Sequence, residues 1–232
     1  MAEITIQAAD GGSFSAYLAV PKTGKGPGMV VIQEIFGVNA VMRGISDNLA
    51  AQGYTAICPD LFWRMKPGVQ LTDQTEAEWK LAVGYFGRFD ADKGAADLKA
   101  TLAALRKHPA CSGKVGAVGY CLGGKLAYFM ATRSDADCSV GYYGVGIQDA
   151  LGEAKNIKKP LLLHIAGKDE FVPPPAQAAV KAALKSDPNV TIYDYPDCSH
   201  AFARIGGAHY DKQAANQANQ RSAEFFRRHL GG

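Results

Sequence analysis

The stretch Lys114-Val115-Gly116-Ala117-Val118-Gly119-Tyr120-Cys121-Leu122-Gly123-Gly124-Lys125-Leu126 decides the fold. Residues 114–119 form an apolar, strand-sized run, and residues 122–132 continue with helical spacing. Between them, Gly119-Tyr120-Cys121-Leu122-Gly123 has the form Gly-x-nucleophile-x-Gly. In such a turn the central residue takes a strained backbone conformation, and the glycines leave room for neighbouring chain. The nucleophile then stands above the sheet. The next N–H points where an oxyanion would form, and the helix N-terminus favours negative charge there. That field would also stabilise a cysteine thiolate. Taken alone, the five residues fit a buried cysteine in a glycine-rich turn equally well.

Working outward, strand-like runs alternate with helical patterns, which predicts a mostly parallel sheet covered by helices. Residues 4–7 and 14–20 flank Asp10-Gly11-Gly12 and predict an antiparallel hairpin. Further strands are expected at 29–33, 55–58, 139–143, 160–166 and 190–195, and helices at 43–52, 91–107, 174–185 and 211–229. In the helix over 91–107, Leu98, Leu102 and Leu105 share one face. Residues 59–75 hold Pro59, Pro67 and Gly68 without a clear period and read as a long loop. No composition shift marks a boundary, so one domain over 1–232 is expected.

Two further residues give the cysteine its context. Asp169 follows the strand over 160–166, and His200 follows the one ending at Tyr195. Each falls at the carboxyl end of a predicted strand, where open α/β sheets place their sites. The chain order is nucleophile, acid, histidine, the order found in α/β-hydrolases. In a triad of this kind Asp169 would orient His200, and His200 would keep Cys121 ionised and later activate the deacylating water.

Composition excludes several other classes. With 232 residues, 47% hydrophobic and 20% charged, the chain can bury a sizeable core. No run approaches the roughly 20 apolar residues of a membrane-spanning helix. The 25 basic and 22 acidic residues leave a net charge of +3 that is scattered, so no nucleic-acid footprint is expected. The first residues lack a basic-then-apolar pattern, so no signal peptide is expected. Five cysteines without a Cys-x-x-Cys pair predict reduced thiols and a cytoplasmic setting. His164 is expected in the core, His108 at a helix end, and His209 and His229 at the surface. No four-ligand metal set or dinucleotide fingerprint emerges, and neither a cofactor nor an obligate protein partner is expected.

Across 6–226 the chain resembles the dienelactone hydrolase (carboxymethylenebutenolidase) family of α/β-hydrolases. The resemblance rests on Gln33-Glu34-Ile35-Phe36-Gly37-Val38-Asn39, Cys58-Pro59-Asp60-Leu61, Gly119-Tyr120-Cys121-Leu122-Gly123-Gly124, Gly141-Tyr142-Tyr143-Gly144-Val145-Gly146 and Ser199-His200-Ala201-Phe202-Ala203-Arg204. It implies an α/β-hydrolase fold, a Cys121-His200-Asp169 triad and hydrolysis of a small lactone or ester in the degradation of aromatic compounds. It also implies an oxyanion hole from the N–H groups of Ile35 and Leu122. Glu34 would hold the resting cysteine until substrate shifts it. Arg204 would bind a substrate carboxylate, and Phe36 would line the substrate site.

One departure bears on the substrate. Counting from Phe89-Asp90, Trp79 stands where the resemblance leads one to expect a second carboxylate-binding arginine. Val83 and Phe86 likewise replace a tyrosine and a tryptophan. Arg64, Lys80 or Arg88 could substitute for the missing anchor, or Trp79 could line a pocket for a bulkier, less charged ester. Trp63, Tyr85 and Phe86 read equally as pocket or packing residues. Two alternatives follow: a carboxylesterase with a less anionic substrate, and a non-catalytic binding or thiol-sensing protein on the same fold.

Overall fold

The computed structural model describes residues 2–231. Met1 and Gly232, the outermost residues of the expected 1–232 domain, lie outside them. Eight strands form one sheet in the order β1-β2-β4-β3-β5-β6-β7-β8. The chain divides into two compact units, one through Ala117 and one from Val118 to Gly231.

In the first unit, β1 (Ala2–Gln7) and β2 (Ser13–Ala19) form the expected antiparallel hairpin. β2 pairs antiparallel with β4 (Thr55–Pro59), and β4 pairs parallel with β3 (Gly26–Ile32). β4 is buried along its whole length and β3 along all but Pro27, as expected of strands covered on both faces. Helix α1 (Ala40–Ala51) packs against β2, β3 and β4. It starts three residues before the expected 43, because the Asn39 side chain caps it by accepting from the Met42 N–H. Residues 60–75 carry no helix or extended strand, but α2 (Glu76–Arg88) then forms a helix that the periodicity did not predict. Helix α3 (Ala91–Lys107) has the predicted bounds. Asp90 caps its start, and Leu98, Leu102 and Leu105 bury its inner face. β5 (Cys111–Tyr120) begins in this unit and ends in the second.

In the second unit, β6 (Ser139–Tyr142) pairs parallel with β7 (Leu161–Lys168), which pairs parallel with β8 (Val190–Ser199). Helix α4 (Leu122–Arg133) packs against β6 and against a run of 3-10 turns over Ile147–Asn156. Helix α5 (Pro174–Leu184) packs on those turns, and α6 (Lys212–Leu230) packs on β7. No helix among the described residues is long and apolar enough to cross a membrane.

Candidate active site

The strand-to-helix turn has the strain expected of it. Cys121 has φ +56° and ψ −115°, outside the regions ordinary residues favour, at a cost of about 1–3 kcal/mol. Close packing enforces this conformation. A Cβ on Gly119 would lie 1.9 Å from the Gly123 carbonyl oxygen, and one on Gly124 would lie 2.5 Å from that of Tyr142. The Cys121 N–H donates to the Tyr142 carbonyl at 3.1 Å, tying the turn to the end of β6. Cys121 is buried. Leu122 is the first residue of α4, so its N–H is among those that a helix leaves without an internal partner.

Asp169 and His200 meet because of a register shift. From Leu161 to Ala166, β7 pairs with Val190 to Tyr195 residue for residue, but Lys168 pairs with Ser199. β8 thus bulges by two residues around Pro196. Gly167 makes room for the bulge, since a Cβ there would lie 2.5 Å from Pro196 Cα and from its carbonyl oxygen. One residue past the Lys168–Ser199 pair, His200 Nδ1 lies 2.8 Å from Asp169 Oδ2. Asp169 Oδ1 accepts from the N–H groups of Phe171 (2.9 Å) and Val172 (3.2 Å).

His200 is buried, which alone would lower its pKa. The Cys121 sulfur and the Asp169 carboxylate, each by charge and by hydrogen bond, outweigh burial and lift it to about 10. Asp169 occupies Nδ1, so Nε2 is the nitrogen left for the sulfur. Two rings flank the imidazole edge-to-face: Tyr143 at 5.1 Å and Phe171 at 4.9 Å between centroids. Neither ring is marked for this role by the local sequence. Tyr143 stands within Gly141-Tyr142-Tyr143-Gly144-Val145-Gly146, and its φ of +37° marks a second strained position. Phe171 had only its nearness to Asp169 as a signal.

Arg204 follows four residues after His200, in turns closed by Arg204 N–H to Ala201 O at 2.9 Å and Gly207 N–H to Arg204 O at 3.1 Å. It is half-buried, and its Nε lies over Gly207.

In the first unit, Glu34, Ile35 and Phe36 follow β3, and all three are buried. Trp79 lies on α2, half-buried, with its ring 5.9 Å from that of Phe36. Arg64, a proposed substitute anchor, is engaged elsewhere: it bridges Asp10 at 2.7 Å and the buried Asp97 at 2.8 Å. Arg88 binds the Gly84 carbonyl and lies over the Tyr85 ring, whereas Lys80 is exposed. Trp63 stacks on Phe14 and donates to Asp97, and Tyr85 stacks on Phe62, so both pack the fold. Phe86 is partly exposed.

His164 is the core histidine expected. It is buried between Tyr195 Oη and Ser222 Oγ, each at 2.9 Å. Burial, with a smaller push from the Arg221 charge, lowers its pKa to about 3, so it stays neutral. His108 ends α3, and its Nδ1 accepts from the Ala110 N–H. His209 is exposed and His229 half-buried.

A mostly parallel sheet, a strained strand-to-helix elbow and an Asp–His pair beyond neighbouring strand ends define the α/β-hydrolase class. A model of the dienelactone hydrolase family matches residues 14–230, and the chain belongs to that family. A relative from Azospirillum brasilense is 53% identical over 235 residues, covering 100% of both chains. The carboxymethylenebutenolidase of Pseudomonas sp. strain P51 is 39% identical, covering 97% of this chain and 94% of its own. That of Pseudomonas putida is 40% identical, covering 96% and 94%. A crystal structure from Klebsiella pneumoniae subsp. pneumoniae MGH 78578 superposes with a TM-score of 0.81 at 26% identity, covering 97% of this chain and 99% of that one. The chain is thus a dienelactone hydrolase-like hydrolase of small esters or lactones.

Proposed function

We propose that the protein hydrolyses a dienelactone-type (carboxymethylenebutenolide) substrate through a thioester on Cys121, with His200 and Asp169 completing a triad in one α/β-hydrolase domain. The observation that carries this reading is the 2.8 Å Asp169–His200 hydrogen bond on an imidazole that the Cys121 sulfur also engages. The thiolate sulfur attacks the lactone carbonyl carbon, and the carbonyl electron pair moves onto oxygen. The N–H groups of Leu122 and Ile35 hold that oxyanion. As it collapses, the ring C–O bond breaks and an enolate leaves, taking up the imidazolium proton of His200, with the acyl group bound to sulfur and the imidazole left neutral. Water then adds to the thioester and gives a proton to His200, and the thiolate departs from the free acid. The enolate is stabilised by conjugation, so its departure asks little of His200 as an acid. A thiolate–imidazolium pair suits this chemistry and is poorly matched to amides. Glu34 holds the resting thiol, Arg204 takes the substrate carboxylate, and Phe36 lines the acyl site. A reducing, cytoplasmic setting is supported by the five free cysteines and by a nucleophile that needs a free thiol.

A second reading is a carboxylesterase for a less anionic ester. Trp79 favours it, being an aromatic surface against Phe36 where a second cation would anchor a carboxylate, with Arg64 committed to Asp10 and Asp97. One panel separates the two: lactones with and without a carboxylate, beside neutral aryl esters. On the first reading the carboxylated lactone turns over fastest, and Trp79→Arg leaves that order intact. On the second, neutral esters lead, and Trp79→Arg raises the rate on the anionic lactone. Full turnover by Cys121→Ala, with no acyl group on the native cysteine by mass spectrometry, overturns both.

A further inference from the structure

We propose that Gln33 is a positioning residue: its side-chain amide fixes the plane of the Glu34–Ile35 peptide and so aims the Ile35 N–H at the reacting oxygen. The inference rests on the reading of that N–H as an oxyanion donor.

Gln33 follows β3 and is fully buried. Its Nε2 donates to the Glu34 carbonyl oxygen at 3.2 Å, and its Oε1 accepts from the Leu61 N–H at 3.0 Å. The Glu34 carbonyl and the Ile35 N–H belong to one planar peptide group. No peptide bond among the described residues is cis, so the two point in opposite directions. Holding the carbonyl oxygen therefore sets where the N–H points. The hydrogen bond also polarises the peptide and strengthens its N–H as a donor.

The orientation of the amide is determined by its neighbours. A buried Leu61 N–H needs an acceptor and a buried Glu34 carbonyl accepts a donor, and the two ends of one primary amide supply both. A longer aliphatic chain could fill the space but do neither. The clamp is itself anchored, because Leu61 opens the loop over 60–75. There the buried Asp60 carboxylate accepts from the Phe62 N–H at 3.0 Å and the Gly68 N–H at 2.7 Å. Further along, the Leu71 N–H donates to the Phe36 carbonyl at 2.8 Å, and the Asn39 side chain donates to the Leu71 carbonyl at 2.9 Å. A loop so fastened frames residues 33–39. It gives the Gln33 amide a fixed partner on one side, so that the peptide on the other side cannot turn.

The test compares Gln33→Met with Gln33→Leu, two uncharged side chains that occupy the site and make neither bond. Three quantities are read on each folded variant: the pre-steady-state rate of Cys121 acylation by p-nitrophenyl acetate, KM, and the rate of Cys121 alkylation by iodoacetamide. Alkylation makes no oxyanion. Misaiming one donor should slow acylation about 10- to 100-fold in both variants, with KM and alkylation within about twofold of native. A packing role alone would spare the closer-fitting Gln33→Met or move all three readings together. Either folded variant acylating within threefold of native overturns the proposal, as does a matching fall in alkylation. Should Gln33→Met fail to fold, Gln33→Leu carries the same comparison. A native protein that forms no acyl group on Cys121 would instead remove the underlying oxyanion reading, and mass spectrometry of the native protein makes that distinction.

Discussion

Asp169 holds His200 with one oxygen and is itself held by the other: Oδ2 lies 2.8 Å from Nδ1, while Oδ1 accepts two backbone N–H bonds from Phe171 and Val172. The carboxylate cannot turn without losing all three. In Asp169→Asn the amide oxygen would keep the backbone bonds, leaving its NH2 facing Nδ1. That reverses the imidazole tautomer and takes the proton-accepting nitrogen away from Cys121. The kcat on an aryl ester should fall about 10³- to 10⁴-fold, as it does for equivalent changes in acyl-transfer triads. Thermal unfolding should change little. A kcat within tenfold of native would remove Asp169 from the triad.

The imidazole reports the sulfur beside it. Burial lowers the His200 pKa, and Cys121 heads the influences that raise it, ahead of Asp169. In Cys121→Ala burial meets only Asp169, so the pKa should drop well below its native value when followed by NMR of the ring protons. The sign for stability follows from the same shift. A folded pKa raised from 6.5 to about 10 stabilises the native state fully below pH 6.5, and the contribution is lost as pH rises through about 10. Native protein should therefore lose more stability than Cys121→Ala over that window in denaturant titrations. An unchanged His200 pKa in the variant would mean that the sulfur does not act on it.

Much of this architecture could be read from residues alone, and the exceptions share a cause. The helix over 91–107 was legible to the residue because Leu98, Leu102 and Leu105 bury one face. Helix α2 was not, because it buries only Ala82 and Tyr85 while Leu81, Val83 and Phe86 stay exposed, which erases the apolar stripe. Its start was nonetheless written as Thr75-x-x-Glu78, a capping box in which Thr75 Oγ1 accepts from the Glu78 N–H. Cys121, Asp169 and His200 could be placed at strand ends from local pattern. The Asp169–His200 pairing follows from their order and strand-end placement, but the geometry that brings them together does not, because it depends on the two-residue slip between β7 and β8, a property of paired strands. The ring contacts of Tyr143 and Phe171 with His200 are tertiary in the same sense.

That slip can be tested directly. Gly167→Ala puts a methyl group 2.5 Å from the Pro196 backbone, where no flexible side chain can yield. The bulge must shift, at a cost of about 1–3 kcal/mol in chemical unfolding. Because the bulge advances His200 to the level of Asp169, kcat should fall at least tenfold even where the variant remains fully folded. A destabilised protein with native kcat would show that the bulge supports the sheet without setting the Asp169–His200 distance.

Acid stability should trace to a histidine outside the chemistry. His164 is buried beneath Tyr142, bonded to Tyr195 and Ser222, and burial first, then the Arg221 charge, lowers its pKa from 6.5 to about 3. Between those values the unfolded chain binds a proton that the folded chain refuses. The contribution is present in full above pH 6.5 and is lost as pH falls toward 3. The slope from this one group is about 1.4 kcal/mol for each pH unit within the window. His164→Gln can keep one of the two hydrogen bonds and has nothing to titrate. It should be less stable at pH 7 yet lose stability more slowly as the solution is acidified, so the two curves converge toward pH 4. Parallel curves in urea unfolding from pH 7 to pH 4 would place the acid sensitivity in the carboxylates instead.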